Sequence, residues 1–289
     1  MSLPKNLDEL DFSNIEINAK PSHGPQFTII YGKGGTGKSS LACYSPDPVI
    51  VPIGRETGHE RMMVPKLERP QGMDTIPHVF ACIAKLLKTE HSRKTVIFDN
   101  LWSYREAVED DVIESNPDCD KAGKKAQALS DYGFGKGQAM AYPYYTRLAA
   151  GFDALIKKKG MHVILLAHDA SYNINLADGT YYTKLSINAP GGENTNVRGF
   201  FEARAHNVFY LRAEDSTLNV KGAMGQTRKI ASTRGIERVL YTKPTSEFFA
   251  KSRVNMAPSY VLDHSETEEE LLHKRSNESI INIFEELYK

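Results

Sequence analysis

Short apolar runs, each closed by a glycine or a polar residue, recur through the first 168 residues and alternate with longer segments of helical periodicity. QFTIIYG (26–32), PVIVPIG (48–54), KTVIFDN (94–100) and MHVILLAH (161–168) are rich in β-branched residues and too short for helices, so they predict buried strands. IPHVFACIAKLLK (76–88) and LWSYREAVEDDVIE (101–114) predict helices. A long amphipathic helix is expected before the fourth strand, with Leu148, Phe152, Leu155 and Ile156 on one face. Strands alternating with helices indicate a mainly parallel sheet flanked by helices on both faces, an α/β fold.

After residue 168 the pattern changes. VFYLRA (208–213), RKIASTRG (228–235) and ERVLYTK (237–243) predict strands with short connections, giving antiparallel strands at the C-terminal edge. Residues 1–23 are polar and predict an arm, 24–262 a single core, and 263–289 an acidic segment followed by an amphipathic helix bearing Ile280, Ile283, Phe284 and Leu287. Packing on the chain's own core is the expectation for that helix, with a contact to a neighbouring subunit as the alternative.

Composition narrows the picture modestly. The 289 residues carry 36 Lys plus Arg and 36 Asp plus Glu, so net charge points to neither a nucleic acid nor a membrane. Cys43, Cys82 and Cys119 form no CxxC pair and suggest neither a disulfide framework nor a zinc site. No apolar run is long enough to span a bilayer and the first residues lack a signal-peptide core, so a cytoplasmic protein without a membrane partner is expected.

The loop after the first strand carries the chemistry. Gly32, Lys33, Gly34, Gly35, Thr36, Gly37, Lys38 and Ser39 fit GxxxxGK[ST] at every fixed position, between a strand and a helix that continues through Ser40. Glycines let backbone amides curl around phosphates, and the helix beyond adds partial positive charge. Lys38 is expected to reach the β- and γ-phosphates of ATP, and Ser39 to ligate Mg2+. Asp99 ends the VIFD strand in the Walker B manner and is the second magnesium ligand. The next position is Asn100, a poor base. Water activation is therefore assigned to Glu56, just past the second strand, or to Glu60. His168 closes ILLAH at a strand's carboxyl end, where ligands bind in open α/β sheets, and is the expected γ-phosphate sensor. No NKxD tetrad marks a guanine pocket, so adenine is the default base.

GKGGTGKSS, Glu56, VIFD and the polar residue closing ILLAH together resemble the core of RecA-type recombinases, with histidine where that family usually has glutamine. FAKSRVNMAP (249–258) is similar to the family's Lys-x-Arg segment. The resemblance implies that Lys251 and Arg253 reach a neighbouring subunit's nucleotide, which requires a ring or filament of identical subunits. By position, two segments match the family's DNA-binding loops. About 115–138 holds Lys121, Lys124, Lys125 and Lys136 with Tyr132 and Phe134 among Gly133, Gly135 and Gly137, although Asp118, Asp120 and Asp131 offset the charge. About 169–198 holds Tyr172, Tyr181, Tyr182, Lys184 and Arg198. Lysines neutralise phosphates and aromatics stack on bases.

The stretches DYGFGKGQ and YYTRLAAGFDALIKKKG, with the AHDA ending, look like those of the short RecA-like ATPases of bacteriophages that anneal single strands. That likeness spans about 24–260. It implies a Mg2+-dependent ATPase in a bacterial host's cytoplasm that binds single-stranded DNA and works with a single-strand-binding protein. A ring helicase or other DNA motor shares nearly every residue named. A small-molecule or nucleotide kinase is a rival of another class, and a nucleotide-binding switch with negligible turnover a third.

Overall fold

The computed structural model describes residues 24–119, 124–176, 178–192, 195–221, 227–262 and 278–288, with backbone alone at 215–221, 227–236 and 278–279. In chain order the elements are β1 (Phe27–Tyr31), α1 (Lys38–Cys43), β2 (Pro48–Pro52), α2 (Thr75–Lys88), β3 (Thr95–Asp99), α3 (Leu101–Ser115), α4 (Lys136–Lys159), β4 (His162–Ala167), β5 (Asp169–Asn175), β6 (Tyr181–Ile187), α5 (Val197–Arg204), β7 (Asn207–Lys221), β8 (Thr227–Tyr241), β9 (Lys251–Ser252), β10 (Ser259–Leu262) and α6 (Glu278–Tyr288).

An eight-stranded mixed sheet organises the chain in the order β10-β8-β7-β1-β4-β3-β2, with β9 pairing to β7. β2, β3, β4, β1 and β7 run parallel, while β8, β9 and β10 are antiparallel to their neighbours. Strands β1, β2 and β3 are buried throughout and mostly apolar because both faces are covered, and alternation sorts the side chains of the sheet. Ile29, Val51, Phe98 and Leu165 point to the face packed by α2, α3, α4 and α5. Ile30, Ile50, Ile97 and Ile164 point to the face packed by α1 and α6. The tail helix, expected beyond a 24–262 core, thus contributes Ile280, Ile283, Phe284 and Leu287 to the second core.

Three sequence expectations change in detail. The stretch 169–198 is no open loop, because β5 and β6 form an antiparallel hairpin from Asp169↔Ile187 out to Asn175↔Tyr181. Its strands are half-exposed and polar, so they lack the apolar run that marks the others. The polar stretch 115–138 is partly built into the fold: Leu129–Tyr132 makes a 3-10 turn, Tyr132 is buried, and α4 begins at Lys136. The strands read as 208–213, 228–235 and 237–243 are one long hairpin, β7 with β8. Among the described residues no helix is long and apolar enough to cross a membrane.

Candidate functional site

β1 ends at Tyr31, and the loop Gly32–Gly37 turns the chain into α1 at Lys38. Two glycines here are dictated by space and backbone. A methyl group on Gly32 would fall 2.1 Å from the Leu211 carbonyl oxygen of β7. Gly37 starts α1 in the left-handed region at φ +90°, which disfavours any side chain. Gly34 and Gly35 are exposed on the outer side of the loop, where a methyl on Gly35 would meet nothing within 4 Å. The loop is therefore tight against the sheet and open outward, as a phosphate cradle must be. Lys38 is 7% exposed, and its ammonium donates to the Gly32 and Lys33 carbonyls at 2.9 and 2.8 Å. Burial lowers its pKa, and the nearby Asp99 charge opposes that shift.

The neighbouring strand ends bring four further groups together. The Ser39 hydroxyl donates to Asp99 Oδ2 at 2.8 Å. Asp99 is 3% exposed, and burial pushes its pKa up to about 6 against the opposing Ser39 hydrogen bond. A hydroxyl and a carboxylate side by side are the hard oxygen donors that magnesium takes, so the pair fits that ion. The Asn100 amide, next to Asp99, donates to Glu56 Oε2 at 2.7 Å and lies 3.4 Å from His168 Nε2. Glu56 also lies over Ser39: a methyl on Gly58 would be 3.4 Å from Glu56 Oε1 and 3.7 Å from Ser39 Oγ. His168 in turn approaches the loop, with Cε1 3.9 Å from a methyl built on Gly34. Burial lowers the His168 pKa, and the Lys38 charge adds to that effect. At neutral pH the ring is then uncharged and can donate or accept a hydrogen bond.

Thus Lys38, Ser39, Glu56, Asp99 and His168, scattered over 131 positions of sequence, cluster at the carboxyl ends of β1 to β4, where ligands bind in open α/β sheets. Ser40 follows in α1 on the same turn. Glu60 is exposed, and its side chain makes no hydrogen bond or ion pair with this cluster among the described residues. Sequence reasoning passed over two members. Asn100 was set aside as a poor base, yet it links Glu56 to His168 through its amide. His59 is 5% exposed and close enough to Asp99 to act on its charge. The only sequence signal for it is its place three residues after Glu56.

The remaining expected residues are divided. Lys251 donates to the Glu202, Ala203 and Ala205 carbonyls at 3.0, 3.1 and 2.7 Å, closing the C-terminus of α5 in its own chain. Arg253 is exposed, with no ion pair among the described residues. In the first expected DNA segment, Lys125 pairs with Asp118 at 2.7 Å, Lys124 is exposed, and Lys136 opens α4. Tyr132 is unavailable for base stacking, because it is buried with its hydroxyl donating to the Asn116 carbonyl at 2.6 Å. Phe134 beside it is fully exposed at a positive φ of 46°. Lys121 and Asp120 lie outside the described residues. In the second segment, the Arg198 guanidinium stacks 3.6 Å from the centre of the Tyr172 ring, Lys184 is half-buried across from Tyr172, and Tyr181 and Tyr182 are exposed.

No curated protein matches the chain at a significant level. A family model described as an AAA domain matches residues 25–254, which takes in the loop, both carboxylates, His168 and Arg253. With a nucleotide-binding loop at the carboxyl edge of a mostly parallel sheet flanked by helices, the chain belongs to the AAA-domain family of P-loop ATPases.

Proposed function

We propose that this ATPase is RecA-like, completes its active site at an interface between identical subunits, and uses ATP to bind and anneal single-stranded DNA. The observation that carries the reading is the position of His168. Its ring lies in the phosphate-loop cluster beside Asn100. The next residue, Asp169, opens the β5–β6 hairpin with its exposed Tyr181, Tyr182 and Leu176. A change at the γ-phosphate therefore acts at the base of a hairpin whose far end carries a surface suited to stacking on bases.

The chemistry follows from the cluster. Glu56 orients a water molecule and accepts its proton as the water oxygen bonds to the γ-phosphorus. The bond from that phosphorus to the β–γ bridging oxygen breaks, and ADP and phosphate leave. Lys38 neutralises charge on the transferred group. Ser39 and Asp99 would hold a magnesium ion, which would supply further neutralisation of phosphate charge. Asn100 fixes Glu56 and His168 relative to each other, and Arg253 of an adjacent subunit is the cation suited to stabilise the transition state. Single-stranded DNA and a second copy of the chain are the expected partners, with a single-strand-binding protein as a further one.

Steady-state ATP hydrolysis, measured with and without single-stranded DNA and with Lys38→Ala as the blank, tests this. Stimulation by DNA that disappears in Lys38→Ala is expected. Turnover indifferent to DNA removes the coupling and leaves an ATPase with another partner. Phosphate transfer to a small acceptor instead of water makes the protein a kinase.

A further inference from the structure

Arg238 lies on β8, outside every motif that marks the nucleotide site. In register it faces Ala213 of β7 and Leu262 of β10, neither of which offers a carboxylate. Alternation places it on the same side of the sheet as Leu240, whose side chain belongs to the core beneath α1. Its side chain runs along that face to the start of α1. A methyl group built on Gly37 would lie 2.5 Å from Arg238 Nη1, 3.6 Å from Cζ and 3.7 Å from Cδ. The guanidinium thus packs against the last glycine of the phosphate loop. Its Nε is buried with no hydrogen-bond partner, and the guanidinium makes no ion pair among the described residues. A half-buried, permanently charged group without an anion is costly unless a ligand supplies one.

The sheet order decides which part of a nucleotide that ligand is. β1 lies between β4 and β7. Every group suited to the bond being broken sits on the β4 side: Glu56 after β2, Asp99 on β3 and His168 after β4. Arg238 sits on the opposite side, beyond β7. A triphosphate with its γ-phosphate among Lys38, Ser39 and Asp99 extends its other end across Gly37 toward β7 and β8.

We propose that Arg238 is a nucleotide-binding residue acting in its own subunit, with its guanidinium gripping the α-phosphate of the bound nucleotide. The fork of donors on a guanidinium matches paired phosphate oxygens. The contact is the same before and after the γ-phosphate leaves, so it strengthens substrate and transition state alike and governs affinity, not turnover. This inference rests on the assignment of the loop as the ATP site.

Calorimetric titration with ADP tests it, on the wild-type chain and on Arg238→Ala and Arg238→Gln. Gln keeps length and polarity if Ala perturbs the sheet. Both variants should bind ADP roughly 10- to 100-fold more weakly, with kcat at saturating ATP within about 3-fold of wild type. A preference of the wild type between the two α-thio diastereomers of ADP should shrink toward unity in both, which a merely structural role does not produce. Unchanged ADP affinity in both variants, or a fall in kcat at unchanged affinity, overturns the assignment of Arg238 alone. A wild-type chain that binds neither ATP nor ADP overturns the nucleotide site itself.

Discussion

The side-chain amide of Asn100 is divided between two tasks. Its oxygen accepts from the Ser103 amide at 3.1 Å and caps α3, while its nitrogen holds Glu56 and faces His168. The residue is 2% exposed, so water cannot substitute for either interaction. Two substitutions separate the tasks. Asn100→Ala loses both. Asn100→Ser keeps a good capping oxygen but is too short to reach Glu56. A lost cap costs about 1 kcal/mol, so the alanine variant should melt about 2–4 °C lower and the serine variant close to wild type. If Glu56 orients the water as proposed, both should lose at least about 10-fold in kcat, because that carboxylate is no longer fixed. Recovery of kcat together with melting temperature in Asn100→Ser would show that capping is the residue's whole contribution.

Helix α5 and the segment 245–253 illustrate what a sequence pattern conveys about elements. The spacing of Lys251 and Arg253 was enough to recognise a Lys-x-Arg segment, and the two cations do lie two apart on adjoining backbone. Their different surroundings were not legible, because they depend on β9 pairing with β7 and on α5 ending beside that pair. Burial and the adjacent Arg253 charge lower the Lys251 pKa while three carbonyls hold its ammonium. Lys251→Met should therefore cost about 1–2 kcal/mol through the loss of the helix C-cap, a drop of about 3–6 °C in melting temperature. Arg253→Ala should leave melting unchanged and lower kcat by about 10³-fold. Mixing Arg253→Ala with Lys38→Ala should restore part of the activity, since one kind of interface then has an intact loop and an intact arginine. A mixture as inactive as its components would exclude action between subunits. The P-loop and the central strands were legible because each is a local run with a single solution. The β5–β6 hairpin was not, because a half-exposed ribbon of mostly polar residues shows little apolar alternation, and β7 was read short because its buried apolar run ends at Leu211.

At the scale of the whole molecule, the phosphate-loop cluster and closure of the fold occupy opposite ends of the same strands. The cluster lies at the carboxyl ends of β1 to β4, while the tail helix is fastened at their starts. Gln26, just before β1, donates through its side chain to the Leu287 carbonyl at 2.9 Å and through its backbone to His162 Nδ1 at 3.1 Å. The His162 ring, at the first residue of β4, packs on Tyr288 at a 35° tilt with centroids 3.6 Å apart. Burial lowers the His162 pKa to about 4, and no neighbouring charge contributes to the shift. Unfolded, the same group titrates near 6.5. Between those values the unfolded chain binds the proton and the folded chain does not, so stability rises with pH across that window. The contribution is complete above about pH 6.5 and is lost as pH falls to about 4. Other groups titrate in the same range, so the informative quantity is the difference from a variant. His162→Asn keeps an acceptor for the Gln26 amide and cannot take the proton. Its melting temperature should decline less steeply than that of wild type from pH 6.5 to pH 4. Its ADP affinity at pH 7 should equal that of wild type, because the substitution lies at the far end of β4 from the phosphate loop. Parallel melting curves for the two proteins across that window would mean that protonation of His162 does not loosen the tail helix, and that the packing on Tyr288 tolerates a charged ring.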